Sequence, residues 1–519
     1  GVRGDATLPY VEGYEPPHRG TAKSIKAADE QPISRRNFLE LCEERTIEDE
    51  KSFEALFRRL GLSFDWEQTY RTIDDRSRAI CQWAFIRNVQ RGEAYQSEAP
   101  GLWDVTFQTA VAQAELEARD YPGHYHRVAF HAPDGPVHIE TTRPELIPSV
   151  VALIAHPDDE RYAARFGTTV TSPLFGVEIP VLAHPAAEMD KGAGIAMCCT
   201  FGDLTDVLWW RELRLPTRSL ITRTGRMHHE NPEWLIGTPG ERLYADQVAG
   251  KTAYGAREAI VAALRASGDL DGEPTPTQRK ANFYERGEKP LEIVTTRQWY
   301  IRNGGRDADL NAELVARGDQ IAFHPAFMRS RYANWVAGLN GDWLVSRQRF
   351  FGPSIPVWYP LDGDGEPVWD DYILPTEEML PVDPMAQPAP GYTEEQRGVP
   401  GGFIGDPDVF DTWATSSLTP QIALGWRSDE ELFGHLFPMD MRPQAHDIIR
   451  TWLFATVVRA HWEFDSIPWT NAAISGFILD PDRKKMSKSK GNVVTPEDIV
   501  VAHSADAVRY WAASGRLRT

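Results

Sequence analysis

Cysteine is scarce in this chain: four in 519 residues, at positions 42, 81, 198 and 199. None of them forms a C-x-x-C pair, so a cysteine-rich zinc site is not supported, and no tightly bound metal is expected. So few thiols over such a length fit a reducing compartment, and we expect a cytoplasmic protein. No apolar run approaches the roughly 18 residues that suggest a membrane span, so no membrane partner is expected. No charged-then-apolar leader is visible either. Positive charge is outnumbered: the net charge is -20 and the isoelectric point about 5.2. That balance argues against a broad attraction for nucleic acid, so any RNA contact has to use local basic patches. There is no initiator methionine; the chain opens Gly1-Val2-Arg3-Gly4, and we expect it to be part of a longer protein.

The length suggests about three domains at roughly 150 residues each. Residues 1–34 are rich in proline, glycine and charge and read as loop. From Ser34 the pattern turns helical, with a second helix expected from Thr46 and a third over Asp74 to Arg91, closed by Gly92. Between about Tyr125 and Leu220 short β-type runs are broken by Pro and Gly, among them Val128-Ala129-Phe130, Val137-His138-Ile139 and Val150 to Ile154. Lys251 to Leu270 reads as helix and 271–290 as charged loop. Phe351 to Tyr359 reads as a proline-broken edge strand, and 376–400 as a proline-rich linker. Residues 401–519 alternate strand, helix and loop, as an α/β core does. No repeat of fixed period is present.

Against the acidic background one stretch stands out. Five of the eight residues from Arg483 to Lys490 are basic. They lie between the apolar run Ile474 to Leu479 and a helix start at Thr495-Pro496-Glu497-Asp498. Lysines among small and hydroxyl residues describe a cationic loop able to close on phosphates, because each ammonium is a compact charge with three donors.

Lys485-Met486-Ser487-Lys488-Ser489, followed by Lys490-Gly491-Asn492, resembles the second signature of the class I aminoacyl-tRNA synthetases. The resemblance implies an α/β, Rossmann-like nucleotide-binding core and ATP with Mg2+ as a substrate complex. Lys485 and Lys488 would be the catalytic cations on the β- and γ-phosphates, with Met486, Ser487 and Ser489 completing the ATP-binding loop. Asp342-Trp343-Leu344-Val345-Ser346-Arg347-Gln348, the stretch Asp408 to Ser417, and Asp447-Ile448-Ile449-Arg450-Thr451-Trp452 are similar to stretches of the family members that act on valine. By that similarity Trp413, Ile448 and Trp452 line a small apolar pocket for the valine side chain, and the partner is the tRNA for valine.

Thr141-Thr142-Arg143-Pro144-Glu145 resembles the hallmark of the editing domain in the valine, isoleucine and leucine members. The physical need is plain. A hydrophobic pocket cannot strongly reject an isostere that merely adds a hydroxyl, and valine-activating enzymes are themselves the known illustration of that limit. A second, polar site would hydrolyse mischarged threonyl-tRNA. The resemblance implies that Thr141, Thr142 and Arg143 place the ester and the water. It implies further that Asp206 holds the substrate ammonium and Asp203 adds negative field. Three positions depart from the family pattern: Ala193 within Gly192-Ala193-Gly194, Met197 in place of a lysine, and Gly202-Asp203 in place of His-Asp. Met197 also breaks any G-x-G-x-x-G dinucleotide fingerprint.

The family's first signature, His-x-Gly-His, is made by none of the 14 histidines. We expect it to precede Gly1, expect an anticodon-binding domain to follow Thr519, and expect little adenylation from these residues alone. The domains implied are an incomplete N-terminal part of the catalytic domain (1–122), an inserted editing domain (123–290), and the C-terminal catalytic part with the lysine-rich loop (291–519). An isoleucine-specific sister and a non-catalytic tRNA-binding paralogue remain open alternatives.

Overall fold

Ser34 and Asp74 each stand one residue before an apolar-periodic stretch, and each caps a helix. In the computed structural model, which describes residues 2–16, 30–476, 478–480, 482–483, 486 and 492–514, the Ser34 hydroxyl accepts from the Asn37 amide at 3.1 Å. Asp74 Oδ1 accepts from the Ser77 amide at 2.7 Å. The chain forms two units, Gly1–Tyr95 with Trp299–Thr519, and Gln96–Gln298.

In the first unit the helix from Arg35 does not stop before Thr46; it runs unbroken over Arg35–Arg59. The Thr46 hydroxyl, expected as a cap, donates back to the Cys42 carbonyl at 2.8 Å instead. Glu48 and Asp49 pair along the surface with Arg45, at 3.3 and 3.1 Å. The segment read as N-terminal loop contains a short parallel pair, Val2–Asp5 with Gln31–Ser34. The helix Asp75–Gln90 forms as expected, and Gly92 follows it at φ +73. Its buried face carries Phe85, whose ring meets Trp299 at 5.2 Å and Phe410 at 5.0 Å, both edge-on. Burying a side chain of this size contributes about 2–3 kcal/mol. The Phe351–Tyr359 stretch makes no continuous strand: Ser354 forms a single bridge to Val409, and Trp358–Pro360 pairs with Phe403–Gly405. Pro353 and Pro356 have no N–H to give a ladder.

The core of this unit is a parallel sheet. Trp469–Ser475 lies between Ala322–His324 and Met439–Ala445 and runs parallel to both. Parallel neighbours need a crossover, and the helix Phe454–Phe464 supplies it between Met439–Ala445 and Trp469–Ser475. This βαβ unit buries Val457, Val458, Ala472 and Ile474 in the main apolar cluster. It brings Ala445 level with Ser475, so the carboxyl ends of both strands open on one side. The fold is α/β, as the alternation over 401–519 predicts.

The second unit is rich in strand. Leu116–Phe130 pairs antiparallel with Val137–Thr141 and with Thr275–Tyr284. The latter strand corrects the reading of 271–290 as loop: ten residues pair in continuous register, from Thr275 opposite Tyr125 to Tyr284 opposite Leu116. A four-stranded sheet has the order Ile195–Cys198, Ala152–Ala155, Glu178–Ala183, Thr169–Thr171. The helix Ala253–Ser267 falls within Lys251–Leu270, capped by Thr252 and closed by Gly268 at φ +83.

Candidate functional site

Two places in the structure gather the residues singled out above, one in each unit. In the first unit the site lies at the carboxyl end of the parallel sheet, where ligands of open α/β sheets bind. Beyond Ala445 the chain makes a tight turn, His446–Ile448, then a wide π-helical turn, Ile449–Leu453, before the helix Phe454–Phe464. Single π turns recur at functional sites. Trp452, on that turn, is buried, and its indole N–H donates to the Ser416 carbonyl at 2.7 Å. Ser416 ends the helix Thr412–Ser416, which carries Trp413. The structure thus ties Trp452 to the segment bearing Trp413. Ile448 is half-buried in the adjoining turn, where its carbonyl accepts from the Thr451 hydroxyl at 3.4 Å. The Arg442 guanidinium lies 4.4 Å from the centre of the Trp452 ring, and Trp469 is 5.9 Å from it.

Asp411 fixes the Trp413 helix. One oxygen accepts from the Trp413 amide at 3.3 Å; the other accepts from the Trp343 indole at 3.1 Å and faces Arg347 at 3.4 Å. Arg347 is fully buried. The stretches 342–348 and 408–417, separate in sequence, therefore form one support. The resemblance assigns Asp411 and Arg347 no role; tertiary contact gives them one. Of the lysine-rich loop, Lys485, Ser487, Lys488 and Ser489 lie outside the described residues. Met486 is described, and its sulfur accepts from the Val494 amide at 3.3 Å.

In the second unit Thr141 ends the strand Val137–Thr141, and its hydroxyl accepts from the Arg143 amide at 3.0 Å. Thr142 is half-buried beside it. Arg143 faces three partners: Glu292 at 2.7 Å, Glu145 at 3.1 Å and the Gly202 carbonyl at 3.2 Å. Burial disfavours its charge, but Glu292 and Glu145 outweigh that and hold its pKa above the ordinary value. Glu145 is fully buried and receives two bonds from Arg257, at 2.8 and 2.7 Å. Burial pushes its carboxyl up, yet the Arg257 bonds and the Arg143 charge prevail and hold it below the usual range.

Asp203 is exposed and caps the helix Leu204–Glu212, accepting from the Thr205 and Asp206 amides at 2.7 and 3.0 Å. Asp206 is buried, and its Oδ2 accepts from the Gly202 amide at 3.0 Å and the Cys199 amide at 3.3 Å. Burial, reinforced by the neighbouring Asp203 charge, pushes the Asp206 carboxyl well above the ordinary range. Gly202 is the hub, with its carbonyl on Arg143 and its amide on Asp206. A Cβ there would fall 2.2 Å from Asp206 Oδ2. With the carboxylate where it stands, only glycine fits at 202. Arg257 and Glu292, which complete the buried ion network, were not singled out from sequence; Glu145 within Thr141–Glu145 was the one signal, a carboxylate that needed a cation.

Among the described residues no helix is long and apolar enough to cross a membrane, and no group of three His, Cys, Asp or Glu side chains is placed to hold a metal. Known proteins match along the whole chain. Two relatives named valine--tRNA ligase are each 64% identical over 520 residues and cover 100% of this chain. The chain covers 60% of the one from Leifsonia xyli subsp. xyli and 58% of the one from Thermobifida fusca, so it spans about three fifths of their length. Among solved structures, a leucine enzyme of Agrobacterium radiobacter in complex with tRNA aligns over 92% of this chain at 16% identity and a TM-score of 0.43, too slight a likeness to carry weight. The family profile "tRNA synthetases class I (I, L, M and V)" matches residues 21–518, and on that match the chain belongs to the class I tRNA synthetases.

Proposed function

We propose that this chain supplies the activation and proofreading parts of a valine--tRNA ligase. The observation that carries the reading is the 64% identity, over the whole chain, to relatives bearing that name. The first unit would activate valine. The valine carboxylate attacks the α-phosphate of ATP, supplied with Mg2+ as the substrate complex. The α–β phosphoanhydride breaks, pyrophosphate leaves, and valyl-adenylate forms. A terminal hydroxyl of the tRNA for valine then displaces AMP to give the ester.

In this reading Trp413, Ile448 and Trp452 line the side-chain pocket. Lys485 and Lys488, with Met486, Ser487 and Ser489 around them, neutralise the charge that flows to pyrophosphate. Little covalent chemistry falls to the protein; placement and electrostatics do the work. The second unit would be the editing insertion, in which Thr141, Thr142 and Arg143 stand around the ester of threonyl-tRNA and water releases threonine. The Asp203 charge would favour the substrate ammonium, and the Asp206 carboxyl, which burial holds toward its neutral form, would ionise as that ammonium approaches. The Arg143 network supports this as a scaffold: three fixed partners hold the guanidinium still beside Thr141, whose hydroxyl accepts from the Arg143 amide.

The test is amino-acid-dependent exchange of pyrophosphate into ATP by the full-length enzyme. Exchange with valine, and much weaker exchange with isoleucine, is expected. A preference for isoleucine, or no exchange with either, overturns the reading. Hydrolysis of threonyl-tRNA by the same protein is the matching test of the editing assignment.

A further inference from the structure

A branched Cβ crowds the backbone at positive φ, so a valine, isoleucine or threonine found there is an outlier. Thr200 is one: it stands at φ +67 and is fully buried. Among the described non-glycine residues at positive φ it alone is branched at Cβ. The Phe201 amide donates back to the Cys199 carbonyl at 2.8 Å, so Thr200 is the centre of a three-residue turn. Turns of this size with positive φ at the centre are rare and strained. Glycine would adopt the conformation freely, yet threonine occupies it.

The surroundings hold the turn closed. The Thr200 hydroxyl donates to the Pro216 carbonyl at 3.1 Å, just beyond the end of the helix Leu204–Glu212. The Phe201 ring meets Trp210 of that helix edge-on at 6.3 Å. What the turn achieves is local and specific. It brings the amides of Cys199 and Gly202 onto one oxygen, Asp206 Oδ2, at 3.3 and 3.0 Å. It also aims the Gly202 carbonyl at Arg143, 3.2 Å away. Arg143 precedes the short helical turn Pro144–Ser149, and Asp206 lies in the helix Leu204–Glu212, so the strained turn joins two separate elements. Strain of this kind persists only where the surroundings over-determine it, and it collects at functional sites.

We propose that Thr200 is a positioning residue for hydrolysis of the mischarged ester: its strained turn fixes the Asp206 carboxyl relative to the Arg143 guanidinium, and its hydroxyl on Pro216 keeps the turn from relaxing. Thr200 itself touches no substrate, because its side chain is buried and engaged with Pro216. If the turn relaxed, the Cys199 and Gly202 amides would part, and the carboxyl they hold would shift against Arg143. A displacement of about 1 Å at such groups costs about 10² in rate. The assignment rests on the editing role proposed above, and its test separates the two.

The full-length enzyme is compared as wild type, Thr200→Gly and Thr200→Ser in hydrolysis of preformed threonyl-tRNA, with kcat and KM taken separately. Glycine accepts positive φ without strain but has no hydroxyl to hold the turn. Thr200→Gly is expected to lower kcat about 10–100-fold, with the KM for the tRNA near the wild-type value. Relief of strain offsets the lost hydroxyl bond, so the melting temperature should change little. Serine keeps the hydroxyl, and Thr200→Ser should hydrolyse close to the wild-type rate. Valine-dependent pyrophosphate exchange, the chemistry proposed for the first unit, should be the same in all three. A wild-type kcat in Thr200→Gly overturns the inference. So does a fall in Thr200→Ser as large as in Thr200→Gly, which would assign the effect to the lost methyl group rather than to the pinned turn. If Thr200→Gly does not fold, Thr200→Val keeps the shape and deletes only the hydroxyl bond; a lowered kcat is again expected, and an unchanged one overturns the inference. A wild-type enzyme that does not hydrolyse threonyl-tRNA refutes the editing assignment itself, a result distinct from an active wild type beside an indifferent Thr200→Gly.

Discussion

Trp452 donates its indole N–H to the carbonyl of Ser416 across 2.7 Å, and this bond locks the turn after one strand of the parallel sheet to the helix that bears Trp413. The two tryptophans are 39 positions apart in sequence, and the proposed pocket requires them together.

Replacing Trp452 by phenylalanine keeps an aromatic ring for Arg442 and Trp469 but deletes the donor, so the Ser416 carbonyl keeps only the Thr419 hydroxyl and the tie between the two segments is lost. The cost in stability is about 1 kcal/mol, the net worth of one such bond. The larger effect expected is on the pocket: KM for valine rises several-fold while KM for ATP stays near the wild-type value. Steady-state exchange kinetics on the full-length enzyme check both.

Arg257 and Glu145 are 112 residues apart and joined by two hydrogen bonds in the interior of the second unit. Arg257→Met would leave Glu145 with Arg143 alone. Because Arg143 still pairs with Glu145 and Arg257 is partly exposed, the cost is that of the lost charge-assisted bonds, about 1.5–3 kcal/mol. Hydrogen exchange over the second unit should quicken accordingly. The acid limb should also change. Glu145 is held below its usual range, so its stabilisation is present above the ordinary carboxyl pKa of about 4.3 and is lost as pH falls through the folded value. The wild type should weaken in acid by this route, and Arg257→Met should show a smaller pH dependence there.

Asp206 has the opposite sign. Burial raises its carboxyl pKa, so the folded state favours the protonated form. Its contribution is fully present below about pH 4 and declines as pH rises through the raised value. Asparagine keeps an oxygen for the Gly202 and Cys199 amides without the charge. Asp206→Asn should therefore melt a few degrees higher than wild type near neutral pH and no higher in acid. In the full-length enzyme Asp206→Ala should raise threonyl-tRNA accumulation; unchanged levels would refute an editing role for this carboxylate.

The lysine-rich loop makes a prediction of another kind. If Lys485 and Lys488 stabilise charge that develops only as pyrophosphate departs, removing either lowers kcat more than it raises the KM for valine. Loss of a donor aimed at developing charge costs about 10²–10³ in rate. Lys488→Ala and Lys485→Ala should each fall in that range in exchange assays, and a fall confined to the KM for valine would remove the loop from the chemistry.

What could be read from the sequence was what local pattern dictates. The helices Asp75–Gln90 and Ala253–Ser267 could be read because their apolar periodicity leaves few alternatives. The α/β alternation over 401–519 announced the parallel sheet. The strand Thr275–Tyr284 was hidden because most of its residues are exposed or half-exposed; a two-sided polar ribbon has no apolar alternation, and its register comes from Leu116–Phe130, some 150 residues earlier. The long helix Arg35–Arg59 was split in reading because Thr46 followed by acidic residues imitates a cap, although a threonine hydroxyl can equally bond back within a helix. At the sites, the motifs named Trp413, Trp452, Arg143 and Asp206, but nothing local names their supports. Arg347 beneath Asp411, Arg257 on Glu145 and the Thr200 hydroxyl on Pro216 are facts of tertiary contact.

Gly202 allows the most direct test of how the corner of the second unit is built. A Cβ at this position would meet Asp206 Oδ2 at 2.2 Å. A free carboxylate could swing aside at little cost, but this one is buried and accepts from the Gly202 and Cys199 amides, so moving it strands both. Gly202→Ala is expected to cost about 1–3 kcal/mol, the usual range for forcing extra atoms into a packed site. Asp206→Ala alone removes the acceptor and strands the same amides. If the clash is with Asp206 specifically, the double variant should be less destabilised than the two single variants summed, because alanine at 206 removes the atom that the new methyl strikes. Contacting residues of this kind show coupling of about 0.5–3 kcal/mol. Denaturant melts of wild type, both single variants and the double variant measure it. Simple additivity would show that the Gly202 corner tolerates a side chain by moving something other than Asp206, and would remove the steric reason for glycine at this position.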